Sequence, residues 1–183
     1  DDATAAIDPD SPQALAAEMK VEPLELEIGT SLIDLVDTDR GGDLLERVKG
    51  LRRKLAVEKG LIIPSVRTRD NVILDPDAYA IRINGVETAR GTAPPGRFLA
   101  IGDGLDLVPG EPTTEPVFGL PAKWVPAESR QQALIAGATV IDRSSVITTH
   151  LGEISSRYAG KLLSTQQVRQ LLDRLKATDS AIL

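Results

Sequence analysis

Tyr79-Ala-Ile-Arg-Ile-Asn-Gly-Val-Glu-Thr-Ala-Arg90 is where the fold declares itself. Tyr79 to Ile83 has the composition of a strand, and Asn84-Gly85 supplies the two positive-φ positions that a type I′ turn requires. Val86 to Arg90 must then return antiparallel, which commits this part of the chain to a sheet.

Toward the N-terminus, Leu24, Leu26 and Ile28 alternate with Glu25 and Glu27, the period of a half-buried strand that Gly29 ends. Leu32, Ile33, Leu35 and Val36 make a second apolar patch. Asp43 is placed to cap a helix running to Lys59, because Leu44, Val48, Leu51 and Leu55 recur at helical spacing and Gly60 stands at the stop. Arg47, Lys49, Arg52, Arg53, Lys54 and Lys59 fall mainly off that stripe, so they read as a solvated face rather than a receptor for an acidic partner. After Pro64, Val66 to Arg69 reads as a short strand. Residues 1 to 20, rich in Ala, Asp and Pro, read as a linker, with at most a short helix beginning at Ser11-Pro12.

Toward the C-terminus, Pro94-Pro95-Gly96 marks a change of regime and the start of a second small lobe. Phe98 to Ile101 reads as a strand, Gly102 to Thr114 as a long loop, Ala122 to Val125 as a strand, Ala127 to Ala136 as a helix closed by Gly137, and Thr139 to Ile141 as one more strand. Ser144 or Asp142 caps a helix reaching about Leu162, with Ile147, Leu151, Ile154 and Tyr158 on one stripe. Ser164 with Gln167 fits the capping box of a last helix bearing Val168, Leu171, Leu172 and Leu175, whose stripe has little chain left to pack against. The fold class is α/β (α+β), built of small mixed lobes.

At 183 residues and 42% hydrophobic, the chain can bury a real core. Aromatics are only 3%, so that core is aliphatic and each ring is conspicuous; an exposed one would carry binding energy. A net charge of −6 disfavours nucleic acid and anionic lipid. The absence of cysteine excludes disulfides and thiolate metal sites and fits a reducing, cytoplasmic compartment. No signal peptide or membrane-spanning run is visible, so the chain as given reads as soluble, and its opening on Asp1 suggests excision from something longer.

Catalytic chemistry is thin. The sole histidine, His150, lies about 60° from the Ile147-Leu151 stripe at about 100° per residue, at the border of core and surface, where a hydrogen-bonding structural role is favoured over a catalytic one. Ser144 or Ser145 with His150 and Asp142 lacks any nucleophile elbow. Asp37, Asp39 and Asp43 do not match a calcium loop, and neither Gly41-Gly42 nor Gly102-Asp-Gly104 has the Lys-Ser/Thr of a phosphate loop. No catalytic residue, metal or cofactor is expected. The conspicuous stretch is instead Glu115-Pro-Val-Phe-Gly-Leu120, where an acid and an aromatic stand three apart in a Pro/Gly-punctuated loop. Two readings of Phe118 stay open, lobe core or exposed contact. Thr149 falls about 180° from its helix's apolar stripe and so faces water or a second lobe.

Leu26-Glu-Ile-Gly29 with Leu32-Ile33, Gly42-Asp-Leu-Leu-Glu-Arg47 with Leu51-Arg52-Arg53, and Arg69-Asp70-Asn71 before Tyr79 to Gly85 form one set of motifs. Pro95-Gly-Arg97 with Leu99-Ala-Ile101, Glu115 to Leu120 with Trp124, Thr149-His-Leu151, and Gln167 with Leu171-Leu-Asp-Arg174 form another. Running collinearly over about residues 21 to 176, they resemble the cytoplasmic part of the type III export-gate family, the FlhA-like proteins of the bacterial flagellum and related injectisomes. Pro-Gly-Arg and Thr-His-Leu look more flagellar than injectisome.

The resemblance implies a membrane domain upstream, a linker over 1–20, a first lobe from 21–92 and 143–162, a second lobe inserted at 93–142, and at 163–183 the start of a helical third lobe. It implies a non-enzymatic platform at the cytoplasmic face of the inner membrane, self-associating into a nine-subunit ring and meeting other export-apparatus proteins. It further implies that export chaperones carrying late substrates dock in a hydrophobic dimple between the first two lobes. The family's Asp-Pro-x-Phe-Gly acid and Phe and the Thr of Thr-His-Leu fall on Glu115, Phe118 and Thr149, with Pro116, Val117 and His150 in support. Glu115 departs from the commoner Asp. At the dimple, Phe118 would bury apolar area and Glu115 would select cationic or hydrogen-bonding groups at the rim. The alternatives are an injectisome homologue or, from another class, a carboxylate-based hydrolase using Glu115 and a neighbouring acid.

Overall fold

A computed structural model describes residues 21–163 together with 168, 172 and 173. The expected linker over 1–20 and most of the expected last helix lie outside the described residues. Among the described residues the chain runs β1 (Leu24–Ile28), α1 (Leu44–Lys59), β2 (Arg67–Asp70), β3 (Ala78–Ile83) and β4 (Val86–Thr92). It continues through β5 (Arg97–Ile101), β6 (Glu111–Thr114), β7 (Pro121–Pro126), α2 (Arg130–Ile135), β8 (Thr139–Ile141), α3 (Arg143–Arg157) and α4 (Ala159–Leu162). Helices and strands are mixed, in two four-stranded sheets ordered β2-β1-β3-β4 and β6-β7-β5-β8.

The hairpin forms as its turn residues dictate, with Asn84 at φ 49° and Gly85 at φ 78°. β3 and β4 pair antiparallel with a bulge between Ile81 and Arg82. β2 lies parallel to β1, which requires a crossover, and α1 is that crossover. The apolar residues of β1 and β3, Leu24, Leu26, Ile28, Tyr79, Ile81 and Ile83, meet α1 through Leu44, Val48 and Leu55 and α3 through Ile147, Leu151 and Ile154.

β1 is not half-buried as its alternation suggests. Glu25 and Glu27 are buried as well, because β1 is a central strand flanked by arginines. The Glu27 carboxylate accepts from Arg69, from Asn71 Nδ2 at 2.9 Å, and pairs with Arg82 Nε at 3.0 Å. Burial pushes its pKa up, but the hydrogen bonds from Asn71, Arg69 and Arg82 outweigh this and hold it below the ordinary carboxylate value.

The second sheet stands in chain order between β4 and α3. One face, Leu99, Ala122 and Trp124, joins the main core, while Ala100 and Val125 on the other face build a smaller core with Val108, Ala133 and Ala138. The stretch expected as a loop from Gly102 to Thr114 contains a 3-10 turn, Leu105–Leu107, and the edge strand β6. Pro112 is tolerated there because an edge strand leaves half its N–H groups unpaired. Lys123 secures the turn by donating from Nζ to the carbonyls of Leu105 and Val108 at 2.6 and 2.9 Å.

The helix expected from Ala127 begins as a 3-10 turn and becomes α2 only at Arg130. Asp142, not Ser144, caps α3, its Oδ1 accepting from the Ser145 N–H at 2.7 Å. α3 ends at Arg157, and the short α4 follows Tyr158. Asp43 stands at the start of α1 but makes no capping bond; its carboxylate takes Arg47 Nε at 2.6 Å instead. Arg47 also donates to Ser145 Oγ and Asp142 Oδ2, tying the starts of α1 and α3 together. Two members of the expected solvated face are therefore structural, Arg47 and also Arg52, whose Nη2 donates to the Ile63 carbonyl at 3.3 Å.

Candidate partner-docking site

The β6–β7 connection is closed by its backbone. The Glu115 N–H donates to the Leu120 carbonyl at 2.8 Å and the Gly119 N–H to the Glu115 carbonyl at 3.0 Å. Gly119 takes φ 69°, a left-handed conformation that costs glycine least. Both oxygens of the Glu115 carboxylate then turn back on their own loop, accepting the N–H groups of Val117 and Phe118 at 2.8 Å each. This local closure turns Phe118 outward, where it is 76% exposed. The lobe-core reading of Phe118 is thereby excluded.

Phe118 and Val117 form one wall of a concavity of about 470 Å³. Its opposite side is α1, through Arg47, Leu51, Lys54, Leu55, Glu58 and Lys59, and its base is α3, through Thr148, Thr149, Gly152 and Glu153. Gly152 makes the space: a Cβ there would come within 2.9 Å of Leu51 Cδ1. The lining has an apolar floor with a mixed, partly cationic rim, the chemistry of a shallow contact surface rather than of a catalytic cleft.

Phe118, Val117 and exposed Thr149 therefore share one hollow. Glu115, Pro116 and His150 do not line it; they line a separate groove behind the loop. The expectation that Glu115 selects groups at the rim is corrected, since its side chain is 6% exposed and both oxygens are taken. Its action is to position the loop. His150 is buried rather than at a border and meets the Tyr79 hydroxyl through Nδ1 at 2.8 Å. Burial pushes the His150 pKa down, a shift that nearby Glu115 opposes and Arg157 reinforces, and burial pushes the Tyr79 hydroxyl up. Both are neutral at pH 7, so this contact is a neutral hydrogen bond whose direction is set by the His150 tautomer.

Leu51, Lys54 and Gly152 are lining residues that sequence reasoning did not assign to the site. A glycine inside the α3 helical pattern was the signal available for the last. Ser145 and Asp142 are engaged by Arg47 and by the helix cap, and His150 by Tyr79, so they form no catalytic triad. Among the described residues no group of three His, Cys, Asp or Glu side chains is arranged to hold a metal, and no helix is long and apolar enough to cross a membrane.

The sequence pattern of the FHIPEP family matches residues 1–183, the whole chain. The chain belongs to the FHIPEP family. Flagellar biosynthesis protein FlhA of Helicobacter pylori is 42% identical over 165 residues, which is 89% of this chain and 22% of that protein. The FlhA of Bacillus subtilis is 42% identical over 168 residues, 91% of this chain and 25% of that protein. This FHIPEP chain thus spans about a quarter of such relatives. Among solved structures, the Chlamydia pneumoniae CdsV protein superposes with a TM-score of 0.74 at 22% identity, over 88% of this chain and 50% of that one. At that identity the likeness concerns the fold alone.

Proposed function

We propose that this chain is the docking part of a flagellar type III protein export gate, receiving export chaperones with their late substrates in the hollow walled by Val117 and Phe118. The observation that carries the reading is Phe118, 76% exposed in an aromatic-poor chain and lining one hollow together with Thr149. An exposed ring held by a buried carboxylate is maintained for a contact, because solvent alone gives no reason to present it. We read the platform as non-enzymatic, a reading supported by the Glu115 carboxylate being engaged with two amides of its own loop.

Identity favours the flagellar over the injectisome assignment, since FlhA proteins match at about 40% and the injectisome CdsV at 22%. We take 21–92 with 143–162 as a first lobe, 93–142 as a lobe inserted into it, and 163–183 as the start of a helical third, in a protein anchored at the inner membrane with this part on its cytoplasmic face. CdsV has been solved in complex with CdsO, and the EscV cytosolic domain of a type III secretion system as a nonamer. By analogy, this chain would meet other export-apparatus proteins and assemble into a ring.

The test is binding of purified chaperone–substrate complexes to the Phe118→Ala variant with unchanged circular dichroism. Loss of a buried phenylalanine side chain's worth of apolar contact, about 1.5–3 kcal/mol, predicts affinity lower by about 10- to 150-fold. Undiminished binding would remove the assignment.

A further inference from the structure

The Glu115–Leu120 loop separates two hollows, and the second is the larger. The groove behind the loop, about 620 Å³, is lined by five consecutive residues of β4, Thr88 to Thr92, and by Thr113 and Thr114 of β6. β4 ends the first sheet and β6 ends the second. Successive strand residues point to opposite faces, so a hollow touching five in a row abuts the strand's edge and not one of its faces.

Among the described residues no strand pairs with the outer edge of either β4 or β6. Alternate N–H and C=O groups of an edge strand point away from its partner, a ready template for another extended chain. Sheets ordinarily guard such edges with bulky charge, but the residues lining this groove from β4 are mostly small: Thr88, Ala89, Gly91 and Thr92. Gly91 cannot be larger, because a Cβ there would lie 2.3 Å from the Tyr79 hydroxyl. The base combines Leu99, Trp124, Val146 and Ile154 with Tyr79, His150 and Glu115, whose polar groups are already engaged with one another or with the loop backbone. The charges at the rim are already paired, Arg90 with Glu87 at 2.9 Å and Arg157 with Glu153 at 3.3 Å.

We propose that this groove is a strand-addition site: an extended segment of another polypeptide lies along β4, with β6 flanking it, and places apolar side chains at every second residue toward Trp124 and Leu99. Open backbone edges select an extended chain over a helix, because only a strand matches their spacing. Paired rim charges select apolar over charged side chains. The groove shares Glu153 and the Glu115–Leu120 loop with the hollow under Phe118 but is not lined by the Phe118 ring.

The test uses the full 183-residue chain. Hydrogen exchange of the free chain comes first: the outward amides of 88–92 and 113–114 exchange rapidly if the edges are open, whereas strong protection would mean that this chain or a second copy already fills the groove and would overturn the proposal. Twelve-residue peptides are then selected from a random display library against the same chain. Enriched peptides should alternate apolar residues, protect amides in 88–92, and lose at least tenfold in affinity when N-methylated at alternate positions in at least one of the two phases. Thr88→Arg, with unchanged circular dichroism, should abolish this binding, and Phe118→Ala should leave it intact. No alternating motif, or indifference to N-methylation in both phases, refutes strand addition. Loss with Phe118→Ala but not with Thr88→Arg would place the peptide in the other hollow and refute it equally.

Discussion

Glu115→Ala is expected to impair docking although the side chain touches no partner. The carboxylate accepts two backbone N–H groups at 2.8 Å and is 6% exposed. Hydrogen bonds to a charged group contribute about 1.5–3 kcal/mol each, and part of that is offset by the cost of burying the carboxylate. A net loss of about 2 kcal/mol follows. For a domain of this size that corresponds to a melting temperature lower by about 4–8 °C.

The same change frees the backbone of Val117 and Phe118. Re-fixing it on binding costs about 1–2 kcal/mol per residue, so chaperone–substrate affinity should fall by at least tenfold, and by about 30-fold if the penalty is 2 kcal/mol. Glu115→Asp should behave like the parent, because a shorter carboxylate still reaches amides two and three residues on. Glu115→Gln keeps one acceptor and should fall between. Thermal unfolding and titration calorimetry on the three variants check the series. If Glu115→Ala binds as the parent does while its melting temperature drops, the loop is not prepositioned by its carboxylate and the reasoning fails.

Gly152→Ala should leave stability within about 1 kcal/mol of the parent, helix propensity offsetting the contact with Leu51, yet weaken docking as Leu51 is pushed into the hollow; denaturant unfolding beside a binding titration separates the two effects. Since burial holds the His150 pKa below its ordinary value, the unfolded chain binds that proton more readily. The contribution of neutral His150 is therefore complete above about pH 6.5 and is lost as the pH falls toward the folded-state value. The difference in stability between the parent and His150→Gln should thus shrink from pH 7.5 to about pH 5.5, and a constant difference in urea unfolding would contradict it. Arg143, buried and bidentate to Asp34 at 3.0–3.2 Å, pins α3 to the segment after β1. Arg143→Ala should cost about 1–2 kcal/mol, less than a fully buried pair because Asp34 is partly exposed and regains water.

Much of the fold was legible where one local rule had no competitor. Asn84-Gly85 is an example, since its dihedral requirement is met by few residue pairs. The α1 stripe is another, because heptad-like spacing repeats over four turns. β6 was missed because Glu111-Pro-Thr-Thr114 has no apolar alternation; it is a strand only because β7 offers it an edge. Glu25 and Glu27 misled because alternation shows which residues are polar but cannot show that arginines from β2 and β3 will follow them inside. At the site, the sequence brought Phe118 and Thr149 to notice but misassigned Glu115, whose charge suggested an outward role.

The sequence by itself determined most of the elements, though not β6, together with the hairpin turn, the aliphatic core and the conspicuous loop, because these rest largely on patterns within a few residues of chain. Only the tertiary structure decided which side of that loop each residue serves. Glu115, Pro116 and His150 fall behind it and Val117, Phe118 and Thr149 before it. That division follows from a carboxylate closing on its own backbone and from the packing of α1 against α3 across Gly152, contacts between residues up to about a hundred positions apart whose geometry no local pattern encodes.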